Sequence, residues 1–294
     1  MKPSVQIQVR EKKDSLWKLA FRKFRQDRLG MAAFVVVGIY FVIAILVHFG
    51  VLGQGWEILA TRRAEGISAD HWFGTNMNGQ DIFKRVVFST KTAFEVGMSV
   101  AILSTVIGAL LGCLAGFFSG TWIDEAVIWL YGCLDSIPFY LFVAAVAFAL
   151  KGNPYAMHIA MISTFWTTTA RLIRGEVIKI KHFEYVEAAR ALGVGKIRVM
   201  LRHILPNTNH ILLVQVTIVF VTAIKSEVIL SFLGLGVRDG ISWGLMIAEA
   251  SQEVGAGVFN NFLSASIFMF VLVMAFNIFS DALQDALDPK KVTA

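Results

Sequence analysis

Charge is scarce in this sequence. Only 16% of its 294 residues are Asp, Glu, Lys or Arg, where a soluble domain carries about 25%. Hydrophobic residues make up 56%, so there is too little polar surface to clothe a soluble particle, and the chain reads as a membrane protein. Cysteine is nearly missing. Cys113 and Cys133 both lie inside apolar runs, which argues against a disulfide framework or a thiolate metal site and favours small buried side chains. The signatures of catalysis are missing too. There is no His-Glu-x-x-His and no Gly-x-Ser-x-Gly. Gly193-Val194-Gly195-Lys196 imitates the end of a phosphate loop, but Arg190 stands where its first glycine belongs and Ile197 where its hydroxyl belongs. Without backbone donors around phosphate and a hydroxyl for Mg²⁺, ATP hydrolysis is not expected here. Gly234, Gly236 and Gly240 are mis-spaced for a dinucleotide site.

What the chain does have is a series of long apolar runs. Residues 29–47 carry no charge and match the roughly 20 residues a spanning helix needs. A long basic region precedes this run and no small-x-small cleavage site follows it, so it reads as a retained span rather than a signal peptide. Further spans are expected over 93–118, 126–150, 155–169, 210–233 and 262–279, making an all-α protein of six membrane helices. Before them, Leu16, Trp17, Leu19, Ala20, Phe21 and Phe24 fall at helical spacing between Lys18, Arg22, Lys23 and Arg25. Such a basic amphipathic helix lies in the membrane interface. The resulting divisions are a basic N-terminus over 1–28, a first span over 29–50, an outer segment over 51–91, a core over 92–283 and a tail over 284–294.

The net charge of +6 is not a nucleic-acid footprint, which would gather on one soluble face. The basic residues collect instead on one side of the spans. The four segments assigned to that side hold nine, none, eight and two Lys/Arg, and the opposite three hold five, one and one. By the positive-inside rule the first set and both termini face the cytoplasm.

Within this frame one segment is too polar for a simple turn. Residues 166–207 hold eight Lys/Arg against three Glu. The segment contains Glu184, Glu187-Ala188-Ala189, Gly193, Arg198 and Leu205-Pro206. The spacing from Glu187 through Gly193 to Pro206 resembles the "EAA" coupling loop of the membrane subunits of ABC importers. Neighbouring residues, including Arg202-His203-Ile204-Leu205-Pro206-Asn207, resemble the shorter permease type of the dipeptide/oligopeptide/nickel family. Other stretches are similar to patterns of that family. They are His71-Trp72-Phe73-Gly74-Thr75-Asn76 with Gly79-Gln80-Asp81 and Arg85, then Ser242-Trp243-Gly244, then Asn277, Asp281 and Asp285-Ala286-Leu287-Asp288-Pro289. The outer motif departs from the family at Asn76 (usually Asp), Gln80 (usually Arg) and Lys84 (usually Ser), and Ser280 stands where Gly is usual.

The resemblance implies a type I ABC importer permease fold and a set of partners: a second permease subunit, two cytoplasmic ATPase subunits that bind ATP and Mg²⁺, and an external substrate-binding protein. It places the coupling loop at 171–207, as two short helices broken near Gly193. Small Ala188 and Ala189 would let the loop seat in an ATPase cleft, with Glu187 meeting a basic group there. No catalytic residue and no cofactor or metal of its own are expected, and bacterial inner membrane is the implied location. Peptide is the default cargo. Nickel, antimicrobial peptides or another solute remain open, as does an ion-coupled secondary carrier.

Three ionisable residues inside predicted spans stand as candidates for the translocation path: Asp135, Lys225 and Glu227. Intramembrane charge is expensive and points to function, yet Asp135 could sit near the inner interface, and Lys225 and Glu227 could reach the outer one. Being two apart, Lys225 and Glu227 cannot pair on one helix face. His71 and Asp81 are too few for a metal site, and their loop reads as one that seats the next helix. Ser104, Gly108, Gly112 and Gly116 recur every four residues, a stripe that lets another helix approach closely. Pro138 is expected to kink the third span, Trp166 to anchor the fourth at the interface, and Pro206 to end whatever helix precedes it.

Overall fold

The computed structural model describes residues 16–59, 63–150, 153–237 and 240–287. The basic stretch before residue 16, the side chain of Trp17, the Lys151-Gly152 part of the outer turn and the Asp288-Pro289 ending lie outside the described residues. Among those described, regular structure is helical, joined by two isolated β-bridges in the outer loop.

The short α1 (Leu16–Gln26) is separated from α2 (Arg28–His48) by Asp27. The Asp27 carboxylate caps α2 by accepting from the Leu29 and Gly30 amides. Phe24 leans edge-on against Phe34 of α2 and Phe279, which pins α1 to the body. Next comes α3 (Ile82–Phe117), 36 residues long. At 1.5 Å per residue such a helix runs about 54 Å, well beyond a hydrocarbon core of about 30 Å. Residues 82–91 were expected in the outer segment, and they are helical. Lys84, Arg85 and Lys91 interrupt the apolar run without interrupting the hydrogen-bonded turns, so the helix outgrows the bilayer.

The third expected span is broken. After α4 (Trp122–Asp135) the chain turns by 91° into α5 (Phe139–Ala149). Pro138 has no N–H to give the Leu134 carbonyl, which instead accepts from Ile137. The fourth span is longer than expected. α6 (Ala156–Ile180) runs unbroken through Arg171 and Arg174. Trp166 is not an interface anchor, being only 4% exposed. The reason is the small-residue stripe of α3. A Cβ on Gly108 would stand 2.6 Å from the Trp166 carbonyl oxygen, and one on Gly116 would stand 2.7 Å from that of Arg174. α6 therefore lies backbone-to-backbone on α3 and carries Trp166 into the contact.

After α7 (Glu184–Ala191) comes α8 (Lys196–Val199), which leads through a π-helical turn (Met200–Ile204) and a 3-10 turn (Leu205–Thr208) into α9 (Asn209–Phe232). Pro206 thus does not end a helix; it sits within a continuous helical run from Lys196 to Phe232. The wide π turn absorbs the proline ring, and the Asn207 side-chain amide donates to the His203 carbonyl at 2.6 Å. α10 (Trp243–Gly255) and α11 (Asn260–Leu287) complete the fold.

Among the described residues four helical runs are long and apolar enough to cross a membrane, and a fifth is reached if α4 and α5 form one span. α6 is long enough, but its second half is too polar to qualify on composition. α2, α3, α9 and α11 enclose the main core. Phe220 stacks on Phe276 with ring centres 4.1 Å apart, and Phe94 packs against Phe220 at 5.3 Å. Trp243 is buried and donates from Nε1 to the Val86 carbonyl at 3.0 Å. Its neighbour Gly244 leaves no room for a Cβ against Val228 of α9. The Trp-Gly pair is thus what locks α10 onto α3 and α9.

Candidate functional site

The polar segment between α6 and α9 folds into a compact knob at one end of the molecule. Glu184 and Glu187 occupy the first turn of α7, where carboxylates complement the positive end of the helix dipole. The helix ends in a Schellman motif: the Gly193 amide donates to the Arg190 carbonyl at 2.9 Å and the Val194 amide to that of Ala189 at 3.1 Å. Gly193 takes φ of +78°, the left-handed value the motif requires. The expected break near Gly193 is therefore a built corner, and α8 follows it.

Beneath the knob lies a second apolar core. Val186 of α7 and Val199 of α8 are fully buried against Cys113 of α3, Ile173, Val177 and Ile180 of α6, and Ile204. Two cations reinforce the seating. The Arg190 guanidinium stands 4.9 Å over the Phe117 ring, and the Lys196 ammonium 5.9 Å from the Phe118 ring. Tyr185 hydrogen-bonds Asn207; partial burial pushes its phenol up, and that bond pulls it down. The knob is thus tied to the ends of α3, α6 and α9 together.

The opposite side of the knob is open. Glu184, Glu187, Ala188, Gly193 and Arg198 are exposed. They are interleaved with Phe183, Leu192 and Ile197; Leu192 is 84% exposed. Ala189 departs from the expected pairing with Ala188: it is buried and faces the chain's own core, which leaves Ala188 as the small residue on the outward face. Pro206 lies at the root of the knob, in the 3-10 turn that leads into α9, and is exposed. Exposed apolar side chains rimmed by charge are the mark of a docking surface.

Two ion pairs brace the same end. Arg174 grips the buried carboxylate of Asp124, and Asp124 also accepts from the Gly120 amide at 3.0 Å. The partner of Asp124 lies 50 residues away, where no local sequence pattern reaches. Asp135, a path candidate, is half exposed at the end of α4. It accepts from the Thr167 hydroxyl at 3.0 Å and pairs with Arg171 of α6, whose guanidinium also lies 5.0 Å over Tyr131.

The other path candidates part company. Glu227 is buried, accepts from the Ser231 hydroxyl at 2.5 Å and is also bonded by Ser242 at the start of α10. It braces α9 against α10. Lys225 is exposed on the other face.

The outer motif forms a latch. Asp81 caps α3 by accepting from the Lys84 amide at 2.9 Å and accepts from His71 Nδ1 at 2.8 Å. Asn76 and Gln80, two positions that depart from the family pattern, bond each other at 3.0 Å, so a neutral amide pair stands where the usual residues would form an ion pair. Arg85 is buried and pairs with Glu249 of α10, while the Met77 amide donates to Glu253 at 2.9 Å. Burial pushes the Glu249 carboxyl up, and the Arg85 guanidinium pulls it back. The loop seats α3 and ties it to α10.

Comparison with known proteins follows the same lines. Residues 108–293 match the family described as binding-protein-dependent transport system inner membrane component, and residues 15–50 match the N-terminal transmembrane domain of oligopeptide transport permease C. The chain is 33% identical over 286 residues to the oligopeptide transport system permease protein OppC of Bacillus subtilis, covering 96% of this chain and 92% of that one. It is 33% identical over 272 residues to the dipeptide transport system permease protein DppC of the same organism, covering 92% and 85%. The glutathione transport system permease protein GsiD of Pectobacterium atrosepticum is 31% identical over 277 residues, covering 93% and 91%.

Proposed function

This chain belongs to the family of binding-protein-dependent transport system inner membrane components, and on that premise we propose that it is the permease subunit of an ATP-driven importer of di- and oligopeptides. It forms half of the translocation path beside a second permease subunit. Of two cytoplasmic ATPase subunits, one receives the α7–α8 knob in a cleft, and an external binding protein delivers the peptide. The bias of Lys/Arg supports an orientation with both termini and the knob inside. The names of the relatives support peptide as cargo.

The observation that carries this reading is the two-sided construction of the knob. One side is seated on the ends of α3 and α6; the other offers Glu187, Leu192 and Ile197 to a partner. A load on the outward side therefore reaches several spans at once. Closure of the ATPases on ATP pulls the knob, and the spans rock as rigid bodies between two states. The chain lacks a phosphate loop of its own, so the energy comes from its companions.

The test is co-expression with its companion subunits, reconstitution in proteoliposomes and uptake of labelled dipeptides and of Ni²⁺ with and without ATP. ATP-dependent dipeptide uptake supports the reading. Uptake without any nucleotide-hydrolysing partner overturns it, and uptake of Ni²⁺ alone overturns the cargo.

A further inference from the structure

α9 packs against α3, α6, α10 and α11 and leaves one stripe open. Ile218, Thr222, Lys225, Ile229 and Phe232 are all exposed. Their spacing of four, three, four and three residues puts them on a single helix face. Lys225 is the one charge in that stripe, and among the described residues no carboxylate is paired with it. The nearest acid in sequence, Glu227, is turned into the protein and held by Ser231.

A lysine near the end of a span ordinarily escapes to the interface by stretching toward it. Lys225 is poorly placed to do so. Seven residues separate it from Phe232, the end of α9, which is about 10 Å of helix. Side chains on a helix lean toward its N-terminus, so the stem of Lys225 points away from the nearer end and toward the middle of the bilayer. A lysine facing lipid below the interface is costly. The open stripe of α9 is therefore better explained as a face that borders water.

We propose that Lys225 lines the translocation path and binds the terminal carboxylate of the peptide in transit, an inference that rests on the peptide-importer reading above. The ammonium offers three donors and no acceptor, which suits an anion. The α-carboxylate is the one anion that every unmodified peptide shares, so a cation there serves cargo of any side-chain sequence. Ile218 and Ile229 flank it on the same face and thin the local water, which strengthens the attraction. A single contact of this kind holds the peptide without trapping it.

The test uses the complete reconstituted transporter with its binding protein. Initial uptake of a dipeptide with a free C-terminus is compared with that of its C-terminally amidated form, in the parent, Lys225→Met and Lys225→Arg. Lys225→Met is expected to slow the free-carboxylate peptide at least fivefold relative to the amidated one, and Lys225→Arg to restore most of the rate. In a second measurement, Lys225→Cys in a Cys133→Ser background reacts with a membrane-impermeant thiol reagent; Cys113 is buried and stays silent. With the ammonium gone, either peptide in transit is expected to slow that labelling by occupying the path. Equal effects of Lys225→Met on both peptides, or no labelling at position 225, overturn the proposal while leaving the importer intact. Failure of the parent to take up either peptide overturns the importer reading, and this proposal with it.

Discussion

The Arg174 guanidinium holds the Asp124 carboxylate through two parallel bonds, 2.6 Å from Nε and 2.8 Å from Nη2. Asp124 is 3% exposed, so this forked contact fastens the first turn of α4 to α6 at the end of the molecule that carries the knob. Asp124→Ala leaves the cation without its partner. The expected loss is about 2 kcal/mol, less than for a wholly buried pair because Arg174 is partly exposed. Thermal unfolding of the detergent-solubilised protein measures it, and Arg174→Met added to Asp124→Ala should recover part of the loss.

The glycine stripe makes a sharper prediction. A Cβ on Gly112 would press into the carbonyl oxygen and Cα of Ala170, which are backbone and cannot rotate away. Gly132 on α4 has nothing within 4 Å of its Cβ position. Gly112→Val is expected to lower stability by about 3 kcal/mol, at the upper end for overpacking, and Gly132→Val by much less. Parallel melting curves decide it. Equal effects at the two positions would show that α3 and α6 are not in backbone contact.

What the sequence disclosed depended on the range of each signal. The four-residue period of Gly108, Gly112 and Gly116 named a packing face because the period is itself the geometry. Gly193 marked the corner of the knob because a left-handed residue is required there. Trp166 was misjudged because tryptophan serves both interfaces and helix contacts, and only the position of the stripe on α3 decides between them. Pro206 obeyed a local rule until a π turn and Asn207 absorbed the damage. The start of α3 was placed late because a run of apolar residues measures bilayer thickness, whereas a helix needs only continued hydrogen bonds. The pairs Asp124–Arg174 and Arg85–Glu249 join distant segments and left no local trace.

Arg85 and Glu249 make a pH-dependent prediction. Burial already raises the Glu249 carboxyl above its usual range, and Arg85 restrains the rise. In Arg85→Met that restraint is gone. A carboxyl whose folded pKa exceeds its unfolded one takes up a proton on folding, so its contribution to stability falls as pH climbs past the unfolded value. Arg85→Met is therefore expected to be destabilised at neutral pH and to regain part of its stability in mild acid, where Glu249 protonates. The parent should change less over the same interval. A variant equally impaired at both pH values would mean that packing of the arginine, not its charge, holds the latch.

Glu187 and Gly193 separate assembly of the knob from its use. Glu187 is exposed and contributes nothing to the apolar core beneath it. Glu187→Arg should thus leave folding and membrane insertion intact while, on the proposed docking, placing like charges together at the ATPase contact. A lost and inverted charge pair of this kind costs about 2 kcal/mol or more, over tenfold in coupling. Gly193→Pro acts from within. Proline fixes φ near −65° and removes the amide that donates to Arg190, so the corner opens and the outward face turns away from its proposed partner. Both variants are expected in the membrane at parental levels with peptide uptake abolished. The two should differ in limited proteolysis: Gly193→Pro exposes new cleavage sites around 190–196, and Glu187→Arg does not. Normal uptake and normal ATPase coupling in both would mean that force enters the spans somewhere other than through this knob.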